Sequence, residues 1–131
     1  MMNTYFLLAG ILCFLLGLAH SLIGEYLIFK EKRKTGKLVP TKGSVGLKER
    51  HLRIIWATWH LASFFGWCIG AFLVKISLER NSLDSEILDF LINATTYTMF
   101  ASSFLVLIGT KGKHPGWIVF MLIGILLIAG N

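Results

Sequence analysis

The chain has 131 residues, enough for one domain and too few for two independent soluble cores. Hydrophobic residues make up 55 % of it and its mean hydropathy is +0.69, whereas soluble domains have about 45–50 % apolar residues. The formal net charge is +6, but residues 30–53 alone hold nine Lys or Arg and two Glu, a net +7. Basic residues confined to one segment argue against nucleic-acid binding and predict a membrane protein with one basic loop.

Residues 5–29 form the first apolar run, which is long enough to cross a bilayer because a spanning helix needs about 20 residues. A cleaved signal peptide is the competing interpretation. It requires a basic segment before the apolar run, and residues 1–5 contain no basic side chain. We therefore expect a retained transmembrane helix, followed by a basic loop over residues 30–46.

Three further helices are predicted over residues 47–74, 85–109 and 115–130. Asp84 is a suitable N-cap for the third, and Pro115 suits the first position of the fourth. From Pro115 to Asn131 a helix is about 25 Å long, slightly short of the ~30 Å hydrocarbon core. The predicted fold is an all-α integral membrane protein, a single domain over residues 1–131 with four transmembrane helices in an antiparallel bundle.

The predicted loops differ in charge, and this difference predicts an orientation. Residues 30–53 hold nine of the thirteen Lys and Arg and the third loop adds Lys111 and Lys113, whereas Lys75 and Arg80 of the second loop lie among four acidic residues. Because basic loops stay in the cytoplasm, we expect loops one and three to be cytoplasmic and both termini to lie outside, in a bacterial inner membrane. The basic loop is also expected to contact anionic lipid.

Three ionisable residues lie inside the predicted helices, namely His20, Glu25 and His60. Such residues are costly in a bilayer and usually functional. All three fall in the half of their helix that adjoins the basic loop, so we predict an ion- or ligand-binding site there. The alternative is that the two histidines only hydrogen-bond neighbouring helices and fix their packing.

Helical spacing adds residues to this site. Arg53, Trp56 and Ser63 recur with His60 at intervals of three and four residues and are therefore ligand-binding candidates. If the first two helices are antiparallel neighbours, residues whose numbers sum to about 80 share a depth. That register predicts that His20 faces His60.

The same histidines are candidate metal ligands. His20 and His60 on adjacent helices suit a divalent metal or haem iron, and His114 in the third loop is a further candidate. However, His20 and Glu25 are five residues apart, about 140° around a helix. No close-spaced ligand motif of the structural zinc type is present in the sequence.

Several functions are compatible with these residues. The first is an oligomeric component for transport of an ion, a proton or a small solute, because histidine titrates near neutral pH. The second is a haem- or metal-binding membrane redox protein, and the third is a non-catalytic subunit of another membrane protein. An enzyme is the least favoured, because no nucleophile–base pair or paired catalytic carboxylates can be read from the spacing.

Overall fold

The computed structural model describes residues 2–79 and 84–131. Within these ranges the chain forms four α-helices and no strand: α1 Thr4–Gly24, α2 Glu49–Glu79, α3 Ser85–Thr110 and α4 Gly116–Gly130. The prediction of an all-helical chain is confirmed for the described residues. Arg80, assigned from the sequence to the second loop, lies outside them.

The first helix changes its winding before the basic loop. α1 ends at Gly24, and the chain continues as one π-helical turn, Glu25–Phe29, and one 3-10 turn, Lys30–Lys32. A π turn holds more residues than an α turn and so changes the direction in which the following side chains point. Phe29 is completely buried at the end of this turn. The predicted helix over residues 5–29 is therefore present, with its last turn widened at Glu25.

The second helix is longer than predicted at its C-terminal end. It runs to Glu79 instead of residue 74. Ile76 and Ser77 in the added turn are buried, and Lys75 lies 2.6 Å from Glu79, four residues on. Burial of one side of the turn and an ion pair on the exposed side explain why the helix continues past the apolar run.

The ends of α3 follow from local hydrogen bonding. The Asp84 carboxylate accepts a hydrogen bond from the Ile87 N–H at 3.0 Å, which confirms Asp84 as the N-cap. At the other end, Lys111 and Gly112 have φ of 51° and 73°, and the Gly112 N–H donates to the Leu107 carbonyl oxygen at 2.8 Å. This is a Schellman ending, and glycine tolerates its left-handed backbone without strain.

The chain divides into two compact units. We call the described residues up to Leu16 and from Trp67 onward the core unit, and Gly17–Gly66 the loop unit. In the core unit, the Asn3 N–H donates to the Ser77 carbonyl oxygen at 2.9 Å, and Trp67 Nε1 donates to the Phe14 carbonyl oxygen at 3.2 Å. These pairings show that α1 and α2 run antiparallel there.

The interior of the core unit is apolar. Its helices bury large side chains against one another, including Phe6, Leu73, Ile92, Ile123 and Leu127. α1 and α2 also approach closely at two glycines, since a Cβ on Gly70 would lie 3.0 Å from the Gly10 carbonyl oxygen. Apolar packing and glycine contacts therefore hold this unit together.

The loop unit contains the end of α1, the first half of α2 and the basic segment between them. That segment folds back on itself, because the N–H groups of Thr41 and Lys42 both donate to the Lys32 carbonyl oxygen, at 2.9 and 2.8 Å. Pro40 beside this closure is fully buried. These two hydrogen bonds close the basic segment into a loop, because they join Lys32 at its start to Thr41 and Lys42 near its end.

In the part of the chain that the structure describes, three helical segments are long and apolar enough to cross a membrane: Thr4–Lys32, Glu49–Glu79 and Ser85–Thr110. In the most apolar stretch of each, only 28 %, 28 % and 22 % of the residues are buried inside the protein. Large apolar side chains are therefore exposed along these helices, which suits contact with lipid and would be unfavourable in water. α4 has 15 residues and is shorter than a typical span.

Candidate functional site

His60 lies at the centre of a hydrogen-bonded cluster in the loop unit. Its Nδ1 is 2.9 Å from the Ser21 hydroxyl oxygen, and its Nε2 is 3.4 Å from Glu25 Oε2. The Ser21 hydroxyl is also 2.9 Å from the Ser63 hydroxyl oxygen. Both ring nitrogens therefore have an oxygen partner, and the His60 side chain is 20 % exposed.

The Glu25 carboxylate joins three parts of the loop unit. Trp56 Nε1 on α2 donates to Oε2 at 3.1 Å, and His60 Nε2 approaches the same oxygen. Arg33 Nη1, from the basic loop, lies 2.5 Å from Oε1. Among the described residues Oε1 has no hydrogen-bond geometry to any donor, nor has Arg33 Nε to any acceptor, so charge attraction governs this contact. Glu25 is thus held as the charged partner of Arg33.

Glu25 is also the residue at which the winding of the first helix changes. Glu25 is the first residue of the π turn, and the Lys30 N–H donates to its carbonyl oxygen across five residues. Ser21, one α-helical turn earlier, lies on the same side of the chain. The irregular winding therefore begins at the residue that carries the charge.

His20 has a different neighbour from the one expected at its depth. Its ring stacks on Trp59 with centroids 4.3 Å apart and planes 7° from parallel, and Trp59 Nε1 donates to the His20 carbonyl oxygen at 2.9 Å. The Trp59 ring also lies directly over Gly24, where any Cβ would collide with the indole. Gly24 thus makes room for the tryptophan that holds α1 and α2 together here.

An open groove of about 570 Å³ adjoins this cluster. Glu25, Arg33 and His60 line it and contact one another, and we call these three residues its polar end. The walls are mostly apolar and include Leu38 of the basic loop and Leu61 and Phe64 of α2. Its volume lies in the range of small-molecule sites, about 300–1,000 Å³.

The structure brings some of the predicted site residues together and separates others from them. Glu25, Trp56, His60 and Ser63 belong to one cluster. Arg53 points elsewhere, forming an exposed ion pair with Glu49 at 2.9 Å. His114, in the core unit, accepts the Gly116 N–H on its Nδ1 at 3.0 Å and so caps the start of α4.

Sequence reasoning missed two members of the cluster. One signal for Ser21 was available, because it lies four residues before Glu25. The residue directly before it, His20, was predicted instead. Arg33 is one of nine basic residues in residues 30–53, and nothing in the sequence separates it from the other eight. Its role depends on the folding of the basic loop.

Ser21, His60 and Glu25 are arranged in the order hydroxyl, imidazole, carboxylate. A catalytic nucleophile, its general base and the acid that orients the base have the same order. Ser21 lies inside α1, however, where backbone N–H groups are already bonded within the helix. Acyl transfer needs such donors to be directed at the developing oxyanion. The helix around Ser21 therefore supplies no free backbone donor to an oxyanion.

No protein-family model, curated protein or solved structure matches this chain. The site is accordingly interpreted from its own geometry. Within residues 2–79 and 84–131, no three His, Cys, Asp or Glu side chains are grouped so as to hold a metal ion.

Proposed function

We propose that this chain is a small membrane transport component in which His60 binds and releases the proton that is coupled to movement of an ion or small solute. The observation that supports this is the pair of oxygen partners on His60, Ser21 on Nδ1 and Glu25 on Nε2. In this arrangement both ring nitrogens have a hydrogen-bond partner whether His60 is neutral or protonated. The site needs no rearrangement of heavy atoms to change its charge.

The two states differ only in the directions of the hydrogen bonds. In neutral His60, Nε2–H faces Glu25 and Nδ1 accepts from the Ser21 hydroxyl. When a proton binds at Nδ1, that nitrogen becomes a donor, and the Ser21 hydroxyl turns to donate to Ser63. Hydroxyl groups rotate freely between the two roles, so the hydrogen bonds of the cluster are kept in both states.

We further propose that the chain has four transmembrane helices in a bacterial inner membrane, with the basic loop in the cytoplasm and both termini outside. The charge difference between the loops supports this orientation. A test uses Lys37→Cys and Asn131→Cys in a Cys13→Ser, Cys68→Ser background. A membrane-impermeant maleimide applied to intact spheroplasts should label position 131 and spare position 37; the reverse pattern would overturn the orientation.

An oligomer is part of the proposal. Four helices enclose little volume, and most residues in the apolar stretches of the three long segments are not buried inside the chain, so we favour a pathway between copies of the chain over one within a single copy. Crosslinking in native membranes, compared with a dilution of the protein in excess lipid, tests this. Crosslinked species that persist on dilution support a stable oligomer.

The cluster does not favour a haem or divalent-metal site built on His20 and His60. To coordinate a metal, His60 would have to give up Ser21 or Glu25, and within residues 2–79 and 84–131 no third His, Cys, Asp or Glu is grouped with two others to complete a ligand set. Such sites also need further ligands or a second shell that orients the imidazoles. The proton-binding interpretation uses the contacts as they stand.

The proposal is tested by charge movement in proteoliposomes on a solid-supported membrane. A rapid drop of pH from mildly alkaline to mildly acidic should produce a transient current, because a proton enters a partly buried site even when transport requires a second solute. His60→Gln should remove the transient. His51→Gln, a histidine that accepts from the neighbouring Arg50, should retain it. Equal currents in the two variants would refute the assignment.

A further inference from the structure

The groove beside His60 has the features of a binding site for an amphiphile, which is a molecule with a polar head and an apolar tail. Its polar groups, Glu25, Arg33 and His60, adjoin one another, and most of its other walls are apolar. Leu38, Leu61 and Phe64 on these walls are 75 %, 47 % and 58 % exposed. An alkyl chain can pack on these side chains as the acyl chains of the bilayer do, whereas a small polar solute would replace those apolar contacts with none.

The charge of the polar end depends on His60. Glu25 and Arg33 are in contact and cancel, so the site is neutral when His60 is neutral. The other groups around the ring, Ser21, Ser63 and Trp56, carry no charge, and His20 stacks on Trp59. Protonation of His60 therefore gives the site one net positive charge.

A net charge in a poorly hydrated site is unfavourable unless a counter-charge accompanies it. A monoanion that enters the groove as His60 takes up a proton restores neutrality. A cation would add to the positive charge and would compete with Arg33 for the Glu25 carboxylate. Charge complementarity thus selects an anionic head for the occupant.

The charge of the basic loop also favours an anionic occupant. Lys34, Lys37 and Lys42 on the closed loop are exposed, and the same loop supplies Arg33 and Leu38 to the groove. Clusters of basic residues raise the local concentration of anionic amphiphiles at a membrane surface. The loop therefore attracts an anion towards the site whose wall it forms.

We propose that the groove binds an alkyl carboxylate, with its carboxylate at Arg33 and protonated His60 and its chain along Leu38, Leu61 and Phe64. This inference rests on the proposed proton-binding role of His60 and names the class of solute that accompanies the proton. Binding of the anion and protonation of His60 are coupled, because each one neutralises the charge of the other.

The experiment measures binding of radiolabelled dodecanoate to the full chain in phosphatidylcholine nanodiscs, with empty nanodiscs subtracted. Dodecanol and dodecyltrimethylammonium are competitors with the same chain and a neutral or cationic head. We expect saturable dodecanoate binding with proton uptake from a weakly buffered solution. We also expect each competitor to be at least about tenfold weaker, since a charge-assisted hydrogen bond contributes that much. Dodecanol that competes equally, or a cation that binds more tightly, would overturn the proposal.

Variants test the two ends of the groove. Arg33→Gln should weaken dodecanoate binding at least about tenfold, Arg33→Lys should recover part of the loss, and Arg50→Gln, an exposed arginine of the same region, should bind like wild type. Leu61→Trp should fill the groove and block binding, whereas Leu105→Trp on an exposed position of α3 should not. Unchanged affinity in both Arg33→Gln and Leu61→Trp would exclude this groove.

The outcomes also separate this inference from the proposed function. If wild-type protein gives the pH-jump current that requires His60 but binds no dodecanoate, the carboxylate proposal is overturned and the proton site stands. If dodecanoate binds without proton uptake and the current is absent, the groove binds the amphiphile but the coupling to His60 is refuted. If wild-type protein does take up a proton when dodecanoate binds, His60→Gln should abolish that uptake.

Discussion

The two units of the chain contain parts of the same two helices, yet different forces hold them. In the core unit α1 and α2 meet through Gly10 and Gly70 and bury apolar side chains such as Phe6 and Leu73. In the loop unit the same helices meet through a carboxylate, an imidazole and hydroxyl groups. Apolar packing is tolerant of small errors in position, whereas hydrogen bonds and ion pairs require defined partners. The contrast indicates that the core unit is structural and that the loop unit is organised around a site.

The largest expected effect lies in the core unit. Leu73→Ala removes a side chain that is 2 % exposed and should destabilise the protein by about 2–5 kcal/mol, because it leaves a cavity. Unfolding in mixed micelles with increasing dodecyl sulfate measures the loss. The matched change Leu78→Ala, at a position 60 % exposed, should cost far less. Similar losses in the two variants would contradict the assignment of a packed core to this unit.

A smaller effect is expected at the helix contact in the loop unit. A methyl group on Gly24 collides with the Trp59 ring, so Gly24→Ala should destabilise the protein by about 1–3 kcal/mol through overpacking. It should also shift the tryptophan fluorescence, because the ring must move. Gly109→Ala is the control, since its Cβ meets nothing within 4 Å, and it should be neutral or slightly stabilising. No difference between the two would show that the helices are not held together at Trp59.

The hydroxyl beside His60 should matter for stability by about 1 kcal/mol, the usual net value of a hydrogen bond. Ser21→Ala removes the partner of Nδ1 and should also alter the pH-jump current, because the Nδ1–H of protonated His60 then loses its hydrogen-bond acceptor. Thr58→Ala is the control in the same unit, because the Thr58 hydroxyl bonds only its own helix, at the Ile54 and Ile55 carbonyl oxygens. A current unaffected by Ser21→Ala would remove Ser21 from the proton site.

The smallest effect concerns an exposed ion pair. Lys75→Met breaks the pair with Glu79, whose side chains are 60 % and 46 % exposed. We expect a loss of about 0.3–0.5 kcal/mol, typical of exposed pairs at this helical spacing, and less in high salt. Thermal unfolding in detergent at low and high salt measures it. A loss comparable to that of Leu73→Ala would mean that charge, and not apolar packing, supports the end of α2.

The fold was largely predictable because its signals are local. Apolar runs gave the positions of the four helices, and the Asp84 cap is a property of a few adjacent residues. The extension of α2 was missed because the burial of Ile76 and Ser77 comes from packing, which hydropathy does not show. The π turn was missed for a related reason, since regular helical spacing was assumed through Glu25.

The site was predictable only in part. Glu25, Trp56, Ser63 and His60 were found because ionisable and aromatic residues at helical spacing stand out in an apolar segment. Ser21 was missed because the sequence analysis assigned His20, the ionisable residue directly before it, to this position. Which of these two neighbours faces His60 depends on how Trp59 packs over Gly24. Arg33 depends on the closure of the basic loop, and a loop conformation is not encoded by any periodicity.

We propose that His60 takes up its second proton at Nδ1, beside Ser21, while its Nε2–H stays towards Glu25. Nitrogen-15 NMR of protein labelled at histidine and tryptophan, in lipid, tests this most directly. With His51 and His114 replaced by Gln to simplify the spectrum, the His60 signals are identified by their loss in His60→Gln. At alkaline pH the spectrum should show His60 with its proton on Nε2 and a bare Nδ1 that accepts from Ser21. As the pH falls, Nδ1 should gain a proton, with no change in the tryptophan signals that report the helix contact. A neutral ring that carries its proton on Nδ1, or one that never takes up a second proton, would contradict the account.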